Sequence, residues 1–128
     1  MASWLVSTSR FGLGCEEGSF RTPTGNFRIA EKIGAGEPPW TVYKSRVPTG
    51  ERATPGGSDD LVLTRILWLE GQDPENCNTR ERYIYLHGTN QEELIGTPAS
   101  HGCVRLSNEA IIDLFERVAV GTPVEIRA

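Results

Sequence analysis

The sequence lacks any block of basic residues and any long hydrophobic run. Its 13 Lys and Arg residues and 17 Asp and Glu residues are interspersed, and the formal net charge is −4. Binding to a nucleic-acid backbone requires a clustered basic surface, so nucleic acid is excluded as a partner. A helix that crosses a membrane requires about 20 consecutive apolar residues. The sequence contains no such run, so no membrane span is predicted.

Cysteine and histidine are also scarce, with three cysteines and two histidines in the chain. An odd number of cysteines is not a disulfide framework, and neither C-x-x-C nor H-x3-H spacing occurs, so a structural zinc site has little support. We therefore predict no metal and no cofactor. Cys15 and Cys77 lie in polar turns and are interpreted as bystander thiols, whereas a disulfide between them would indicate an oxidising compartment.

The start of the chain lacks the basic residues and the long apolar run of a signal peptide. The expected location is therefore the cytoplasm if the chain is complete, and the periplasm or cell wall if it is a trimmed form. The segment "SWLVSTS", residues 3–9, reads as a strand with no lead-in. This abrupt start leads us to expect that an upstream segment is missing, and the family resemblance given below implies that it is an N-terminal strand or hairpin.

Turn-forming residues are abundant by contrast, with 14 glycines and 8 prolines. They favour short strands joined by turns, and no linker or repeat divides the chain. We predict one mostly-β domain, residues 1–128, that acts as a monomer. Besides residues 3–9, strands are predicted at residues 26–32, 40–45 and 123–126, and a long polar loop at residues 47–60.

Two further apolar segments precede the polar motif described below. "LVLTRILWLE", residues 61–70, is predicted to be a buried strand, although so short a run also fits a core helix. "RYIYLHG", residues 82–88, alternates like a strand with two faces. The faces comprise Tyr83, Tyr85 and His87 on one side, and Ile84 and Leu86 on the other. His87 therefore ends a strand just before a glycine turn.

One helix is predicted after residue 107. Ser107 is a good N-cap, and Leu106 and Ile111 have the spacing of a hydrophobic staple. An apolar stripe at helical spacing follows, and it consists of Ile111, Leu114, Phe115 and Val118. Gly121 and Pro123 end the helical segment, after which "PVEI" returns as a strand.

The stretch "TPASHGCVRLSN", residues 97–108, places Cys103 just before this helix. Gly102 lets the backbone bend sharply beside the sulfur. A thiolate requires nearby positive charge or N–H donors, and the candidates are His87, His101, Arg105 and backbone N–H groups. A free cysteine is often only a small buried apolar residue. A cysteine with a histidine at the end of a separate strand is, however, typical of a nucleophile and its base. His87 also fits a core histidine.

These residues resemble a known catalytic signature. "HGT" at residues 87–89 followed by "SHGCVRLSN" at residues 100–108 is similar to the L,D-transpeptidases of the YkuD-like family, which have a histidine, a spacer and then Ser/Thr-His-Gly-Cys. "VSTSRFG" at residues 6–12, "GSFRTPTGNFRI" at residues 18–29 and the closing "PVEI" extend the resemblance over nearly the whole chain. It implies a mainly β fold, a YkuD-like β-sandwich with one main α-helix after the catalytic cysteine.

The resemblance also implies roles for individual residues. Cys103 is then the nucleophile and His87, rather than His101, the general base. The carbonyl group of Gly88 would orient the imidazole, and His101 would shape the site and tune the sulfur. The N–H groups of Gly102 and Cys103 would bind the oxyanion.

Three further residues of the signature are candidate substrate-binding residues: Ser100, Arg105 and Asn108. The Arg105 guanidinium suits a substrate carboxylate, and a structural ion pair is the equally weighted alternative. Twelve residues separate His87 from Ser100, slightly fewer than the family's usual spacer, so we expect a shorter lid and a different substrate preference.

The resemblance implies acyl transfer in bacterial cell-wall biogenesis, through a thioester on the third-position diamino acid of peptidoglycan stem tetrapeptides, with release of the terminal D-amino acid. It also implies acylation by β-lactams, carbapenems especially. The alternative function is a cytosolic L,D-carboxypeptidase that trims murein tetrapeptides during recycling, which the absence of a signal peptide favours. A third reading, an inactive peptidoglycan-binding domain, is disfavoured by the presence of Cys103, His87 and Gly102.

Overall fold

The computed structural model describes residues 4–127 and contains, among them, seven strands and one α-helix. The strands are β1 (Gly25–Ile33), β2 (Thr41–Lys44), β3 (Val47–Arg52), β4 (Val62–Gly71), β5 (Tyr85–Gly88), β6 (Val104–Leu106) and β7 (Pro123–Ile126). The helix, α1, is Asn108–Arg117, and two 3₁₀ helices occupy Pro74–Asn76 and Glu92–Leu94.

Strand β4 is the centre of the sheet. It pairs with β1 through residues 66–71 and with β2 through residues 62–63. Because β1 and β5 both pair with residues 66–68, they lie on opposite edges of β4. Strand β6 runs parallel to β5, whereas the other pairs are antiparallel. The predicted class, mainly β with one helix after Cys103, is confirmed, and the strands form a single open sheet where two layers were expected.

One face of the sheet is covered by α1. The buried apolar residues on this face are Phe27, Ile29, Leu67, Leu69, Ile84, Leu86, Val104, Leu106, Ile111 and Phe115. The predicted N-cap is confirmed, because Ser107 Oγ accepts a hydrogen bond of 3.2 Å from the N–H of Ala110. Full burial of side chains such as Ile111 and Phe115 stabilises the fold by about 1.5–3 kcal/mol each. The helix therefore packs against β4 and β5 on this face.

The opposite face carries the polar motif. A smaller cluster of Tyr43, Ile66 and Tyr85 is buried here, and Cys103 packs against it. The predicted alternation in β5 is confirmed, since Leu86 belongs to the helix-covered face and Tyr85 to this one. His87, two residues after Tyr85, therefore shares the face of Cys103.

The segment at residues 61–70 is the strand β4 rather than a helix, as predicted. Both of its edges are paired with other strands, which a helix could not provide. Its first residues bend at Thr64, which has a φ of 74°, and the register with β5 shifts between Leu63 and Ile66. This bend separates the part that pairs with β2 from the part that pairs with β1.

The predicted strand at residues 3–9 differs from the structure. Residue 3 lies outside the described residues, and residues 4–9 form only isolated bridges, Ser7 with Arg105 and Ser9 with Ser100. Ser7 exchanges two backbone hydrogen bonds of 2.8 Å with Arg105 at the free edge of β6. Strand β6 has only three residues, so it offers too short an edge for a longer ladder.

The predicted loop at residues 47–60 is also corrected, because its first part is strand β3. Strands β2 and β3 form a hairpin whose turn residues, Ser45 and Arg46, have φ values of 48° and 66°. Two positive φ values are typical of a type I′ turn, which usually contains Asn or Gly. Neither residue type is present here, so the sequence gives little sign of the hairpin. Only residues 53–61 remain a loop between β3 and β4.

Candidate active site

Cys103 follows a tight turn that ends at the start of β6. Ser100 Oγ donates a 2.6 Å hydrogen bond to the carbonyl oxygen of Cys103 and accepts one of 3.3 Å from the N–H of Gly102. Gly102 has a φ of +127°, and a Cβ atom there would lie 3.3 Å from the Ile84 side chain. This backbone conformation is essentially restricted to glycine. The turn is therefore fixed by Ser100 within it and by the lack of a side chain at Gly102.

The sulfur of Cys103 contacts the backbone at the start of β5. Its Sγ accepts a 3.3 Å hydrogen bond from the N–H of Tyr85, and the thiol donates to the carbonyl oxygen of Tyr83 at 3.4 Å. The next residues, Leu86 and Val104, form the first pair of the parallel β5–β6 ladder. The sulfur therefore takes the place that a backbone acceptor would have in the position just before that ladder begins.

His87 lies on the same face, between β4 and β6. It is opposite Ile66 in β4 and Arg105 in β6, and only 2% of its surface is exposed. Its Nδ1 atom lies 2.5 Å from the carbonyl oxygen of Gly88. A carbonyl oxygen can only accept, so Nδ1 carries the hydrogen and Nε2 keeps a lone pair that can take a proton. The carbonyl group of Gly88 therefore fixes the orientation of the imidazole.

His87 and Cys103 are not hydrogen-bonded to each other in the described part of the chain. They project from adjacent parallel segments on one face of the sheet, with the thiol turned towards the backbone of Tyr83 and Tyr85. Catalytic hydrogen bonds are often long or misaligned in ligand-free structures. The two side chains therefore share one face of the sheet, and the thiol is bonded to the backbone rather than to the imidazole.

The protonation states follow from burial. Burial raises the pKa of the Cys103 thiol to about 12, opposed by the hydrogen bond from Tyr85 N–H and by the guanidinium groups of Arg82 and Arg105. Burial also lowers the pKa of His87, opposed by its bond to Gly88. Near neutral pH the pair is therefore a neutral thiol and a neutral imidazole, not a thiolate and an imidazolium.

Arg105 is a buried guanidinium with no exposed surface. Its Nη1 atom pairs with Asp60 Oδ1 at 3.0 Å and donates to Gln91 Oε1 at 2.8 Å. Its Nε and Nη2 atoms have no hydrogen-bond partner among the described residues. The structural ion pair considered above is therefore present, and it leaves two N–H-bearing atoms of the fork unused.

His101 is exposed. Its Nδ1 lies 3.1 Å from Asp60 Oδ2, and its Nε2 lies 3.3 Å from Arg10 Nη2. Its ring also lies within about 6 Å of the rings of Phe11 and Phe20. The ring nitrogens of His101 therefore contact Asp60 and Arg10 rather than His87 or Cys103.

Ser100 and Asn108 are buried, and their polar atoms are bonded inside the protein. Asn108 Nδ2 donates to the carbonyl oxygen of Thr89 at 2.9 Å and to Glu92 Oε2 at 3.0 Å, and its Oδ1 accepts from Thr64 Oγ1. In this conformation Ser100 shapes the turn before Cys103, and Asn108 fixes the segment after His87. Neither side chain faces solvent, which the sequence could not show.

A cleft of about 290 Å³ lies beside the segment that leads into β5. Its lining includes Phe20, Glu81, Arg82, Tyr83, Ile84 and His101. Tyr83 links it to the nucleophile, since its carbonyl oxygen accepts from the Cys103 thiol. Phe20 and Tyr83 both have a φ of 58° and are more than half exposed. Strained conformations of this kind cluster at ligand sites, so this cleft is the candidate substrate site.

Within residues 4–127, no group of three or more His, Cys, Asp or Glu side chains is placed to hold a metal ion. No helix in this range is long and apolar enough to span a membrane. Cys15, Cys77 and Cys103 are all free thiols in the structure.

Asp60 is a contributor to the site that sequence reasoning missed. It contacts both His101 and Arg105, yet it lies in the polar stretch "GGSDD" and carries no motif. Only its position in space shows its relation to Cys103, since about 40 residues separate the two in the chain.

Comparison with known proteins agrees with this arrangement. A family model of the L,D-transpeptidase catalytic domain, YkuD, matches residues 1–126. The putative L,D-transpeptidase YqjB of Bacillus subtilis (strain 168) is 36% identical over 106 residues, which are 82% of this chain and 51% of that protein. The resemblance based on "HGT" and "SHGCVRLSN" is thus confirmed for the family.

Two solved structures share the fold. An L,D-transpeptidase from Mycobacterium smegmatis has a TM-score of 0.60 at 22% identity, covering 100% of this chain and 49% of that one. L,D-transpeptidase 3 from Mycobacterium tuberculosis, in complex with a faropenem-derived adduct, has a TM-score of 0.58 at 20% identity, covering 98% and 44%. The chain spans about half the length of these relatives. By its family match over residues 1–126, the chain belongs to the YkuD family of L,D-transpeptidase catalytic domains.

Proposed function

We propose that this chain is a peptidoglycan L,D-transpeptidase in which Cys103 carries an acyl group as a thioester. The observation that carries the proposal is the state of His87. Its Nδ1–H is held by the Gly88 carbonyl at 2.5 Å, which leaves Nε2 as a base on the face of the sheet that also bears Cys103. Family membership supports the same assignment.

The first step starts from a neutral pair. The thiol leaves the backbone groups of Tyr83 and Tyr85, and its proton passes to Nε2 of His87 as Sγ attacks the carbonyl carbon of the third-position diamino acid. A C–S bond forms and the carbonyl oxygen becomes an oxyanion. Because the resting thiol is protonated, proton transfer accompanies attack rather than preceding it.

The oxyanion requires N–H donors, and we propose those of Gly102 and Cys103. The Gly102 N–H is held by Ser100 Oγ at 3.3 Å, a long hydrogen bond. It therefore costs little to redirect this N–H towards a charged oxygen, which forms shorter and stronger hydrogen bonds than a hydroxyl does. Loss of one such donor typically slows turnover by about 10²–10³-fold.

Collapse of this intermediate breaks the C–N bond, and His87 protonates the departing D-amino acid. The thioester then reacts with an acceptor. An amine of another stem peptide gives a cross-link, a D-amino acid gives exchange, and water gives L,D-carboxypeptidase activity. All three share the acyl-enzyme, so the acceptor distinguishes transpeptidase from carboxypeptidase.

Arg105 is proposed to bind a substrate carboxylate. The support is the pair of unused atoms, Nε and Nη2, on a guanidinium beside the nucleophile. Two adjacent donors suit a carboxylate, which accepts both at once. The side chain is fully buried, so this role requires that neighbouring groups move when substrate binds.

The test is incubation with a disaccharide-tetrapeptide, with and without an acceptor stem, followed by mass spectrometry. Cross-linked dimers with loss of the terminal D-amino acid would support the transpeptidase, and loss without dimers would support the carboxypeptidase. Binding without an acyl adduct or product would indicate an inactive binding domain. Cys103→Ala is the matched control and is expected to abolish both adduct and product.

A further inference from the structure

Asp60 contacts one residue before Cys103 in the chain and one residue after it. Its Oδ2 lies 3.1 Å from His101 Nδ1 and its Oδ1 lies 3.0 Å from Arg105 Nη1. His101 precedes Cys103 by two residues, and Arg105 follows it by two. Although the backbone of Asp60 is exposed, its side chain keeps only 24% of its accessible surface. A single inward-turned carboxylate thus holds the chain both before and after the sulfur.

The loop that carries Asp60 is fastened to the segment after His87. Asn90, three residues after His87, is 2% exposed and donates from Nδ2 to the carbonyl oxygens of Gly56 at 2.8 Å and Asp59 at 2.9 Å. The Oδ1 atom of the same side chain accepts from the N–H of Leu61 at 3.2 Å. Both polar atoms of this buried amide are therefore used to fix the residues on either side of Asp60.

Gln91 connects the same loop to Arg105. Its Nε2 donates to the carbonyl oxygen of Gly57 at 3.0 Å, and its Oε1 accepts from Arg105 Nη1 at 2.8 Å. The loop therefore touches the segment after the base through Asn90 and Gln91, and the segment around the nucleophile through Asp60. An isolated surface ion pair contributes little to stability. The ion pairs of Asp60 are instead part of a network, because the hydrogen bonds of Asn90 and Gln91 hold the same loop in place.

Charge gives this contact a chemical effect. The charged or titratable groups around the Cys103 thiol are Asp60, Arg82, Arg105 and Tyr85, and those around His87 are Asp60 and Arg105. The Asp60 carboxylate raises the pKa of both Cys103 and His87, whereas the Arg105 guanidinium lowers both. Loss of the carboxylate would leave the buried guanidinium without its counter-ion and so favour the thiolate.

We propose that Asp60 is a positioning residue that holds His101 and Arg105 on either side of Cys103 and balances the charge of Arg105 beside the catalytic pair. Asp60 itself contacts neither the sulfur nor the imidazole among the hydrogen bonds of the described residues. The proposal rests on the proposed function only in taking Cys103 as the nucleophile. Its test can therefore be made without any peptidoglycan substrate.

The experiment is alkylation of Cys103 by iodoacetamide as a function of pH. Cys15→Ser and Cys77→Ser are introduced together so that Cys103 is the single thiol. In this background Asp60→Asn is expected to move the alkylation profile to lower pH and to raise the rate at pH 8 by about threefold or more, as loss of a nearby negative charge predicts. Asp59→Asn is the matched control, since its exposed side chain makes no ion pair in the described residues, and is expected to leave the profile unchanged.

Turnover provides the second readout. Asp60→Asn is expected to lower kcat about tenfold or more while alkylation becomes faster, because the thiol gains reactivity as its surroundings lose their geometry. Because unfolding would also expose the buried thiol and abolish turnover, circular dichroism of Asp60→Asn is first compared with that of the parent, and both readouts are taken on folded protein. Identical alkylation profiles for Asp60→Asn and Asp59→Asn would overturn the charge role, and an unchanged kcat would overturn the positioning role.

Asp60→Glu keeps the charge and lengthens the side chain by one methylene. It is expected to retain the parent alkylation profile and to lose turnover several-fold, and it decides the question if Asp60→Asn does not fold. Full turnover in Asp60→Glu would contradict positioning, and a displaced profile would contradict charge balance. If the parent protein converts no stem peptide, the proposed function fails, whereas the alkylation comparison still tests Asp60.

Discussion

The imidazole of His87 is tied to its own neighbour, with Nδ1 lying 2.5 Å from the carbonyl oxygen of Gly88. This backbone acceptor takes the place that a carboxylate occupies in a Ser-His-Asp triad. A neutral carbonyl orients the ring without adding a negative charge beside it. The base is therefore fixed in one tautomer while burial keeps its pKa low.

Replacement of the base is expected to slow acylation strongly. His87→Ala removes Nε2, and general-base catalysis contributes about 10²–10⁴-fold. The measurement is single-turnover acylation followed by intact mass spectrometry. His101→Ala is the comparison, because its ring contacts Asp60 and Arg10 rather than the thiol, and it is expected to cost less. Equal effects of the two substitutions would mean that the base is assigned to the wrong histidine.

The pH dependence of kcat/KM should show an acid limb only. His87 acts as a base when it is neutral, and burial lowers its pKa below the ordinary value. Activity is therefore expected to fall only as the pH drops through values below about 6.5. The Cys103 thiol has a pKa of about 12, so it should cause no second limb between neutral pH and pH 10. An acid limb centred above pH 7 would contradict a neutral resting pair.

Acylation by β-lactams is expected at Cys103. The acyl-enzyme proposed for stem peptides also forms when Sγ of Cys103 opens a strained lactam ring as His87 takes the thiol proton, and a related structure contains a faropenem-derived adduct. Faropenem and a carbapenem should each add one acyl group to the protein, detected as an increase in intact mass. Cys77→Ser should keep the adduct, since Cys77 lies in the turn "PENCNTR" and matches no position of the signature. An adduct that persists in Cys103→Ala would place acylation at another residue.

Gly102→Ala should destabilise the protein more than an alanine at another glycine of positive φ. Both Gly102 and Gly121 have positive φ, but a Cβ atom at Gly102 would lie 3.3 Å from Ile84, whereas one at Gly121 would have no atom within 4 Å. The backbone strain of a side chain at positive φ costs about 1–3 kcal/mol at either position. The expected difference between the two variants therefore comes from the contact with Ile84. Denaturant unfolding of both variants would measure the difference, and equal free energies would show that the Gly102 turn tolerates a methyl group.

The sequence was sufficient to predict the elements whose signal is local. The N-cap at Ser107 and the alternation of β5 rest on neighbouring residues, and both are confirmed. The β2–β3 hairpin was missed because its turn residues, Ser45 and Arg46, adopt positive φ without the usual Asn or Gly. A tight turn can be predicted from the local sequence only when it contains the residues, such as Asn or Gly, that usually adopt positive φ.

The site was predictable to the extent that its chemistry lies in one motif. Cys103, His87 and the Gly88 carbonyl fall on the signature and are brought to one face of the sheet. Asp60 could not be found in this way, because a buried amide, Asn90, brings its loop to the site from a distant part of the chain. Nor could the sequence show that Asn108 is buried, because that depends on how α1 packs against β4 and β5.

The sulfur of Cys103 also belongs to the sheet. The N–H of Tyr85 donates to Sγ at 3.3 Å, immediately before the parallel pairing of Leu86 with Val104. The acceptor of this hydrogen bond is a side-chain sulfur, and acylation or alkylation changes both its position and its ability to accept. Any reagent that acylates or alkylates the thiol is therefore expected to break the hydrogen bond from the N–H of Tyr85 to Sγ. The Tyr85 amide hydrogen should then exchange faster with solvent deuterium, so the backbone itself reports whether the nucleophile is occupied.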